Sequence, residues 1–235
     1  MNLLLLERHE IDGESAVVRD RRAEHIATIH RAEAGRPLKV GVVGGRVGRG
    51  VVARVSRERV ELRELCFDAD PPPALPCTLV LALPRPKVAR RVLASVASFG
   101  IKRIVLTGGR RVEKSYWQSP MVSDAGIRAE LLLGLEQACD TVLPVVEKRP
   151  HFRHFVLDEL AALASGTLGL FAHPDAEERC PRAVEHPVTL VVGPEGGLLD
   201  DEVELLRSAG LRGVTLGERA LRVEPAVAVL VGRLF

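Results

Sequence analysis

The feature that most constrains the fold is an alternation of apolar runs with helix-like segments, which begins near Leu75 and continues to the end of the chain. Runs such as TLVLALP and VTLVVG suit strands buried on both faces, and the segment PKVARRVLASVASFG between strands carries helical periodicity. Strands separated by helices predict a mostly parallel sheet covered by helices. We therefore expect an α/β fold for this part of the chain.

The residues before Leu75 follow a different pattern. The stretch LKVGVVGGRVGRGVVARV places valines at alternate positions around Gly44-Gly45, which predicts an antiparallel hairpin. The prolines at 71–73 forbid a helix or a central strand and stiffen the chain. We therefore expect a small β-barrel-like domain over residues 1–70 and a larger α/β domain over residues 75–235.

Composition excludes several classes of function. Lys and Arg (33) exceed Asp and Glu (31) by only two, so any surface that attracts nucleic acid must be local. The four cysteines form no C-x-x-C pair and no metal-spaced cluster with histidine, so we expect buried thiols, a reducing compartment and no metal. The apolar part of MNLLLLERHE is too short for a signal peptide or a membrane span. We expect a cytoplasmic protein with no membrane partner.

The stretch TLVVGPEGGLLDDEVELL joins a predicted strand to a helix that begins with acidic residues. Gly193, Gly196 and Gly197 allow the backbone to approach a ligand closely, and Pro194 restricts the entry to the loop. Acidic side chains at residues 200–202 disfavour a phosphate at that helix start, so the loop suits an uncharged or cationic ligand. A tight turn that binds nothing is the alternative.

A second loop marked by glycine follows in GVTLGERALRVEPAV, where Arg219 and Arg222 bracket Ala220 and Leu221. An LGxRxLR stretch after a GPEGG loop resembles the RsmE-type rRNA uridine N3-methyltransferases of the SPOUT, or trefoil-knot, superfamily. The stretches HIATIHRAEAG, LALPRPKV and LEQACDTVLP are similar to further stretches of the same family, in the same order. The resemblance therefore covers nearly the whole chain.

Three departures from the family pattern stand out. Asp140 occupies a position where the family usually has Arg, and residues 109–111 read Gly-Arg-Arg where it often has Ser-Glu-Arg. Pro225 follows LRVE where the family has Thr. Proline suits the first turn of the last helix, but it removes a hydroxyl and a backbone donor near the expected site.

The resemblance implies an S-adenosylmethionine-dependent enzyme that methylates N3 of a uridine in 16S ribosomal RNA. It also implies a PUA-like RNA-binding barrel over residues 1–70, a SPOUT domain with the cofactor site over residues 75–235, and a homodimer. Its partner would be ribosomal RNA or the small ribosomal subunit. The residues expected to bind the cofactor are Leu83, Gly193, Pro194, Glu195, Gly196, Gly197, Leu216, Gly217 and Leu221.

Methyl transfer to N3 requires the N3 proton of uracil to leave, so a base or an anion-stabilising group is needed. We expect Arg222 to stabilise the uracil anion, and Glu224 to accept the proton or orient the ring. The residues expected to bind RNA are Arg31, Arg85, Lys87, Arg110, Arg111, Lys114 and Arg219.

Two other functions are open: a SPOUT methyltransferase that acts on a different RNA nucleotide, and a ribosome-assembly protein that only binds RNA. The intact GPEGG and LGxRxLR loops argue against the second of these.

Overall fold

The computed structural model describes all 235 residues, and the chain folds into two compact units. The first unit comprises Met1–Pro73 and Leu132–Leu143, and the second comprises Ala74–Leu131 and Pro144–Phe235. The boundary after Pro73 falls at the end of the proline run. The two remaining boundaries lie on either side of Leu132–Leu143, and no pattern in the sequence predicts them.

The first unit is a six-stranded sheet with one helix. Its strands form the order β1-β4-β5-β6-β3-β2, antiparallel except for the parallel pair of β1 and β4, and the elements are β1 (Leu4–Leu6), β2 (Ile11–Asp12), β3 (Ser15–Val18), α1 (Arg21–Thr28), β4 (Pro37–Val42), β5 (Val47–Val55) and β6 (Val60–Ala69). The antiparallel pairing of β4 and β5 confirms the predicted hairpin. Gly44 takes a φ of +70° in its turn, a conformation that glycine adopts without steric cost.

Helix α1 covers the core of the first unit. Asp20 caps its start by accepting a hydrogen bond from the backbone N of Arg22 at 2.9 Å. Ala23 and Ile26 on the buried face of the helix join a cluster of valines and leucines from the sheet. Burial of each large side chain in such a cluster stabilises the fold by roughly 1.5–3 kcal/mol.

The segment Leu132–Leu143 is tied to the first unit by hydrogen bonds. The backbone O of Glu136 accepts from the backbone N of Asn2 and of Leu3, both at 3.0 Å, and the Thr141 hydroxyl donates to the Gly45 carbonyl at 2.5 Å. Thr141 therefore bonds to the hairpin turn of the first unit. The next strand of the chain begins only at Val145, beyond Pro144.

The second unit is a seven-stranded sheet whose pairs are all parallel, which confirms the predicted α/β fold. The strand order is β11-β13-β10-β12-β7-β8-β9, and the strands are β7 (Leu75–Ala82), β8 (Ile101–Thr107), β9 (Val145–Arg149), β10 (Leu168–Ala172), β11 (Glu178–Arg179), β12 (Val188–Val192) and β13 (Arg212–Thr215). The helices are α2 (Pro86–Ser98), α3 (Asp124–Ala138), α4 (Phe152–Phe155), α5 (Ala161–Leu163), α6 (Asp200–Ser208) and α7 (Val223–Leu234). The end of α3, from Leu132 onward, belongs to the first unit. A π-helical segment, Val156–Leu160, joins α4 to α5.

The core of the second unit forms around its central strands. Every residue of β12 is buried, and Val191 packs in a cluster with Val80, Phe171 and Leu206. This burial on both faces explains why the strands read as continuous apolar runs. None of the helices is both long and apolar enough to span a membrane.

The cysteines only partly match their predicted burial. Cys77 and Cys180 are buried, and burial raises the pKa of the Cys77 thiol to about 12. Cys139 is half-buried. The prediction is wrong for Cys66, which is exposed because it lies on the outer face of β6.

Candidate active site

Three neighbouring strands of the parallel sheet, β13, β10 and β12, end at one edge, and the loops that follow them enclose a cavity with α7. The cavity has a volume of about 240 Å³. Ligands of open parallel sheets bind at this carboxyl edge. The wall is formed by Ala172–Pro174, Val192–Leu198, Val214–Gly217, Arg219–Leu221, Val223, Ala226 and Leu230.

The loop Gly193–Leu199, here called the Gly193 loop, follows β12 directly. The backbone N of Gly197 donates to the Pro194 carbonyl at 2.8 Å, which closes a tight turn. Gly197 has a φ of +75°, so a residue with a side chain would be strained there. The glycines of GPEGG therefore serve this turn as well as the cavity wall.

Two arginines hold the Gly193 loop from outside. The backbone N of Arg85 donates to Glu195 Oε1 at 3.0 Å, and the Arg111 guanidinium donates to the Gly196 carbonyl. A Cβ added to Gly196 would lie 2.9 Å from Cδ of Arg111, closer than ordinary van der Waals contact. Glycine at this position therefore lets the Arg111 side chain lie against the loop.

The buried carboxylate of Glu202 ties the same loop to the one after β8. Its Oε2 accepts from the backbone N of Leu199 at 2.9 Å, and its Oε1 accepts from the backbone N of Arg110 at 2.8 Å. Glu202 is 5% exposed, and it lies in the first turn of α6, where an acidic side chain is favoured by the helix dipole. Of the acidic residues at this helix start, Glu202 therefore has a structural role, because it links the two loops.

The loop Leu216–Arg222, here called the Gly217 loop, follows β13 and forms another part of the wall. Its start is fixed because Thr215 Oγ1 accepts from the backbone N of Gly217 and donates to the Pro174 carbonyl, each at 3.1 Å. Gly217 has a φ of +122°, again a conformation for glycine. The charged side chains that follow, Glu218, Arg219 and Arg222, are exposed and have no hydrogen-bond or ion-pair partner.

The cavity wall consists mainly of apolar side chains and glycine backbone. Its charged side chains are those of Glu195 and Arg219, and Glu195 accepts the hydrogen bond from Arg85. Such a wall suits a flat, largely uncharged ligand that is recognised by backbone donors and acceptors.

Comparisons with known proteins show which family this chain belongs to. The sequence model of the RNA methyltransferase domain matches residues 71–234. The ribosomal RNA small subunit methyltransferase E of Treponema pallidum is 30% identical over 232 residues, which are 96% of this chain and 87% of that protein. The Mycobacterium tuberculosis protein of the same name is 31% identical over 229 residues, 94% of this chain and 86% of that protein. This chain belongs to the RNA methyltransferase family.

Solved structures of other methyltransferases have a similar fold. A Legionella pneumophila methyltransferase in complex with the cofactor SAM has a TM-score of 0.77 at 20% identity, covering 97% of this chain and 96% of that one. A Neisseria gonorrhoeae ribosomal RNA small subunit methyltransferase E bound to S-adenosyl methionine has a TM-score of 0.74 at 20% identity. The match covers 98% of this chain and 95% of that one. The match confirms the α/β methyltransferase fold for this chain.

The structure brings nearly all of the predicted cofactor residues of this family member into one wall. Those from the two loops, Gly193 to Gly197 with Leu216, Gly217 and Leu221, line the cavity together. Leu83 does not line the cavity. Its side chain is fully buried, and its backbone N donates to the Thr107 carbonyl at 2.8 Å. Their contact with a cofactor stays a prediction.

The residues predicted to be catalytic lie beside the cavity rather than in its wall. Arg222 is the N-cap residue of α7 and is exposed, and Glu224 lies in the first turn of that helix. Glu224 Oε2 accepts from Nε of Arg91 on α2 at 2.5 Å, so its partner in the structure is Arg91. No pattern in the sequence predicts this contact, because Arg91 is one of several arginines on a helix with an ordinary amphipathic pattern.

The predicted RNA-binding residues divide between the two units. Arg31 lies in the first unit, exposed, with a φ of +46°. The others belong to the second unit and follow β7, β8 and β13. A hydrogen bond with the Tyr116 hydroxyl, together with the nearby Glu195, raises the pKa of the Arg85 guanidinium. All of the predicted RNA-binding residues in the second unit have exposed side chains: Arg85, Lys87, Arg110, Arg111, Lys114 and Arg219.

Two departures from the family pattern lie outside the cavity wall. Asp140 is 2% exposed in the first unit, and its Oδ1 accepts from the backbone N of Val142 at 2.9 Å. Pro225 is exposed in the first turn of α7, where a backbone N has no partner within the helix. The loss of a donor at Pro225 therefore costs the helix nothing.

Proposed function

We propose that this chain transfers a methyl group from S-adenosylmethionine to N3 of a uridine in small-subunit ribosomal RNA, in the cytoplasm where that RNA is assembled. The observation that carries the proposal is the near full-length similarity to relatives named ribosomal RNA small subunit methyltransferase E. The S-adenosyl methionine in the similar Neisseria structure supports the choice of cofactor.

The cavity fits that cofactor chemically. Adenine needs an apolar slot with backbone donors and acceptors, which the Gly193 and Gly217 loops supply through their exposed glycine backbone and leucine side chains. A sulfonium cation needs a site without a cluster of positive charge, and Arg219 is the one arginine or lysine in the wall. The residues that would hold the cofactor are Gly193 to Gly197, Leu216, Gly217 and Leu221.

When bound, the cofactor supplies an electrophilic methyl group, and the protein must prepare the nitrogen that accepts it. The lone pair that N3 of uracil needs is freed only when the N3 proton leaves, which places negative charge on the two flanking carbonyl oxygens. Arg222 stabilises that charge through its unpartnered guanidinium. Glu224 accepts the proton or orients the ring, and Arg91 holds its carboxylate in place.

Residues 1–70 are proposed to form a PUA-like barrel that binds RNA, and residues 75–235 a knotted SPOUT domain that binds the cofactor. The mixed sheet of the first unit and its exposed Arg31 support the first assignment. The cavity, which lies wholly in the second unit, supports the second.

The enzyme is proposed to act as a homodimer in which α7 packs against a second copy. Val229 on this helix and Phe235, its C-cap residue, are 46% and 37% exposed, and Pro225, Ala228 and Gly232 on the helix are also exposed. An apolar helix face open to water favours association. Sedimentation of Val229→Glu tests this, with a monomer expected for the variant and a dimer for the wild type.

The experiment that tests the activity is nucleoside analysis of ribosomal RNA from a strain that lacks this gene. We expect N3-methyluridine to disappear from its small-subunit RNA and to return when the wild-type gene is restored. Loss of a different methylated nucleoside would favour a SPOUT enzyme with another target. No change in any modified nucleoside would favour a protein that only binds RNA.

A further inference from the structure

A second cavity lies at the same edge of the parallel sheet, after β8 and β9, and is here called the histidine cleft. Its volume is about 410 Å³, and it does not share a lining residue with the first cavity. Its polar wall is formed by Arg110, His151, Arg153, His154, Asp201 and Glu202. Nothing in the chemistry described above uses this cleft.

The basic side chains of the histidine cleft are available to a ligand. Arg153 is exposed and has no hydrogen-bond or ion-pair partner. The rings of His151 and His154 contact each other edge to face, with centroids 5.8 Å apart, and have no polar partner. Three unpartnered side chains of this kind, gathered in one concave surface with the buried ring of Phe152, indicate a binding surface.

The two acids of the cleft do not neutralise these groups. Both oxygens of Glu202 accept backbone hydrogen bonds, from Leu199 and Arg110, so its carboxylate is already engaged within the fold. Asp201 is 62% exposed, and its Oδ2 lies 3.7 Å from Nη1 of Arg110, a long ion pair in water that contributes little. A ligand can therefore compete for Arg110 as well as engage Arg153.

The cleft is directly connected to the candidate active site through one loop. Arg110 lines the cleft, while its neighbour Arg111 donates to the Gly196 carbonyl in the Gly193 loop. The Glu202 carboxylate joins the same two loops by accepting hydrogen bonds from the backbone of both. A nucleic acid strand that reaches the active site along this edge would pass the cleft.

We propose that the histidine cleft binds a single-stranded segment of the substrate RNA beside the target nucleotide. Arg110 and Arg153 contact phosphates, and the rings of His151 and His154 stack on an unpaired base, as aromatic side chains do in proteins that bind single-stranded RNA. This inference rests on the proposed function, and it adds a recognition site that is separate from the cofactor cavity.

The test measures how tightly the full chain binds a fluorescein-labelled, single-stranded oligonucleotide of small-subunit ribosomal RNA sequence. The double variant Arg153→Ala/His154→Ala removes one arginine and one ring from the cleft. The matched control is Arg182→Ala/His186→Ala, since both of those residues are exposed in the same unit and line neither cavity. Affinity for S-adenosylmethionine is measured for each variant to show that the fold is intact.

We expect the cleft variant to bind the oligonucleotide about tenfold more weakly or worse, because it loses a stacking ring and a phosphate contact. The slope of log affinity against log salt should become shallower by about one. The control should match the wild type. Equal affinity of the cleft variant and the control, or no binding of the oligonucleotide by the wild type, would overturn the proposal.

The outcome separates this inference from the proposed function. If the wild type binds the oligonucleotide through the cleft but methylates no ribosomal RNA, the cleft stands and the proposed activity fails. If the wild type methylates ribosomal RNA and the cleft variant does so with an unchanged KM for RNA, the activity stands and the cleft is overturned.

Discussion

The Gly193 and Gly217 loops form one cavity wall, but the protein holds them very differently. The Gly193 loop is fixed by its own turn, by Arg85 and Arg111 from outside, and by the buried Glu202 at its end. The Gly217 loop is fixed at its start by Thr215, and beyond Gly217 its charged side chains have no partner.

This contrast suits a Gly193 loop that binds the cofactor and a Gly217 loop whose charged side chains act on the substrate. A loop fixed before the ligand arrives loses little entropy on binding, which suits recognition of a cofactor. Charged side chains that lack partners, such as Arg222, acquire them only when substrate is present, which suits groups that act on the developing charge of a transition state. Changes in the two loops should therefore affect different measurements.

The largest expected effect is that of Arg222→Ala in the Gly217 loop. Loss of a group that stabilises an oxyanion costs about a hundred- to a thousandfold in rate. We expect kcat to fall by that factor while the Kd for S-adenosylmethionine, measured by calorimetry, stays unchanged. Arg182→Ala, an exposed arginine outside both cavities, is the control. A Kd that weakens in parallel with kcat would place Arg222 in the cofactor site and remove the contrast between the loops.

The next effect concerns the support of the Gly193 loop. Glu202→Ala leaves two backbone N–H groups without their acceptor, which should lower the free energy of unfolding by about 1–3 kcal/mol. Urea denaturation measures the change. Glu204→Ala on the same helix is the matched control, because Glu204 forms an exposed ion pair with Arg207 and should change stability by less than about 1 kcal/mol. Equal losses in the two variants would show that Glu202 does not support the loop.

A smaller effect is expected for Gly196→Val. The added side chain must displace Arg111, whose Cδ would lie 2.9 Å from the new Cβ, and the hydrogen bond to the Gly196 carbonyl is then lost. We expect cofactor affinity to fall about tenfold, or about 1.4 kcal/mol, in a folded protein. In an Arg111→Ala background the same substitution should cost less. A loss that is the same in both backgrounds would mean that the valine blocks the ligand itself.

The smallest effect in stability is expected for the ion pair between Arg91 and Glu224. The side chains of Arg91 and Glu224 are 58% and 34% exposed, and exposed ion pairs contribute little to stability. A double-mutant cycle with Arg91→Ala and Glu224→Gln should therefore give a coupling of about 0.2–1 kcal/mol in the free energy of unfolding. If Glu224 accepts the N3 proton, Glu224→Gln should lower the rate and recover part of it at higher pH, where more uracil is already deprotonated. A rate that shows no dependence on Glu224 at any pH would assign the residue to structure alone.

Sequence reasoning succeeded where the signal is local. The hairpin around Gly44, the buried strands of the parallel sheet and the two glycine loops are each encoded within a short stretch of chain. Because parallel strands end at a common edge, the meeting of the two loops in one wall could also be predicted.

The contacts that the sequence did not predict join distant parts of the chain. Arg91 and Glu224 are 133 residues apart, and Arg110 and Glu202 are 92 residues apart. Which of many charged side chains meet is decided by strand order and helix packing, and neither can be read from periodicity. The inclusion of Leu132–Leu143 in the first unit and the burial of Leu83 belong to the same class.

The proposed activity and the role of Arg222 are tested together by methylating small ribosomal subunits from a strain lacking this gene. The purified full chain is supplied with isotopically labelled S-adenosylmethionine. Digestion to nucleosides and mass spectrometry then identify the labelled product. We expect label in N3-methyluridine with the wild type and almost none with Arg222→Ala at saturating cofactor. Label in another nucleoside, no label with the wild type, or full labelling by Arg222→Ala would contradict this expectation.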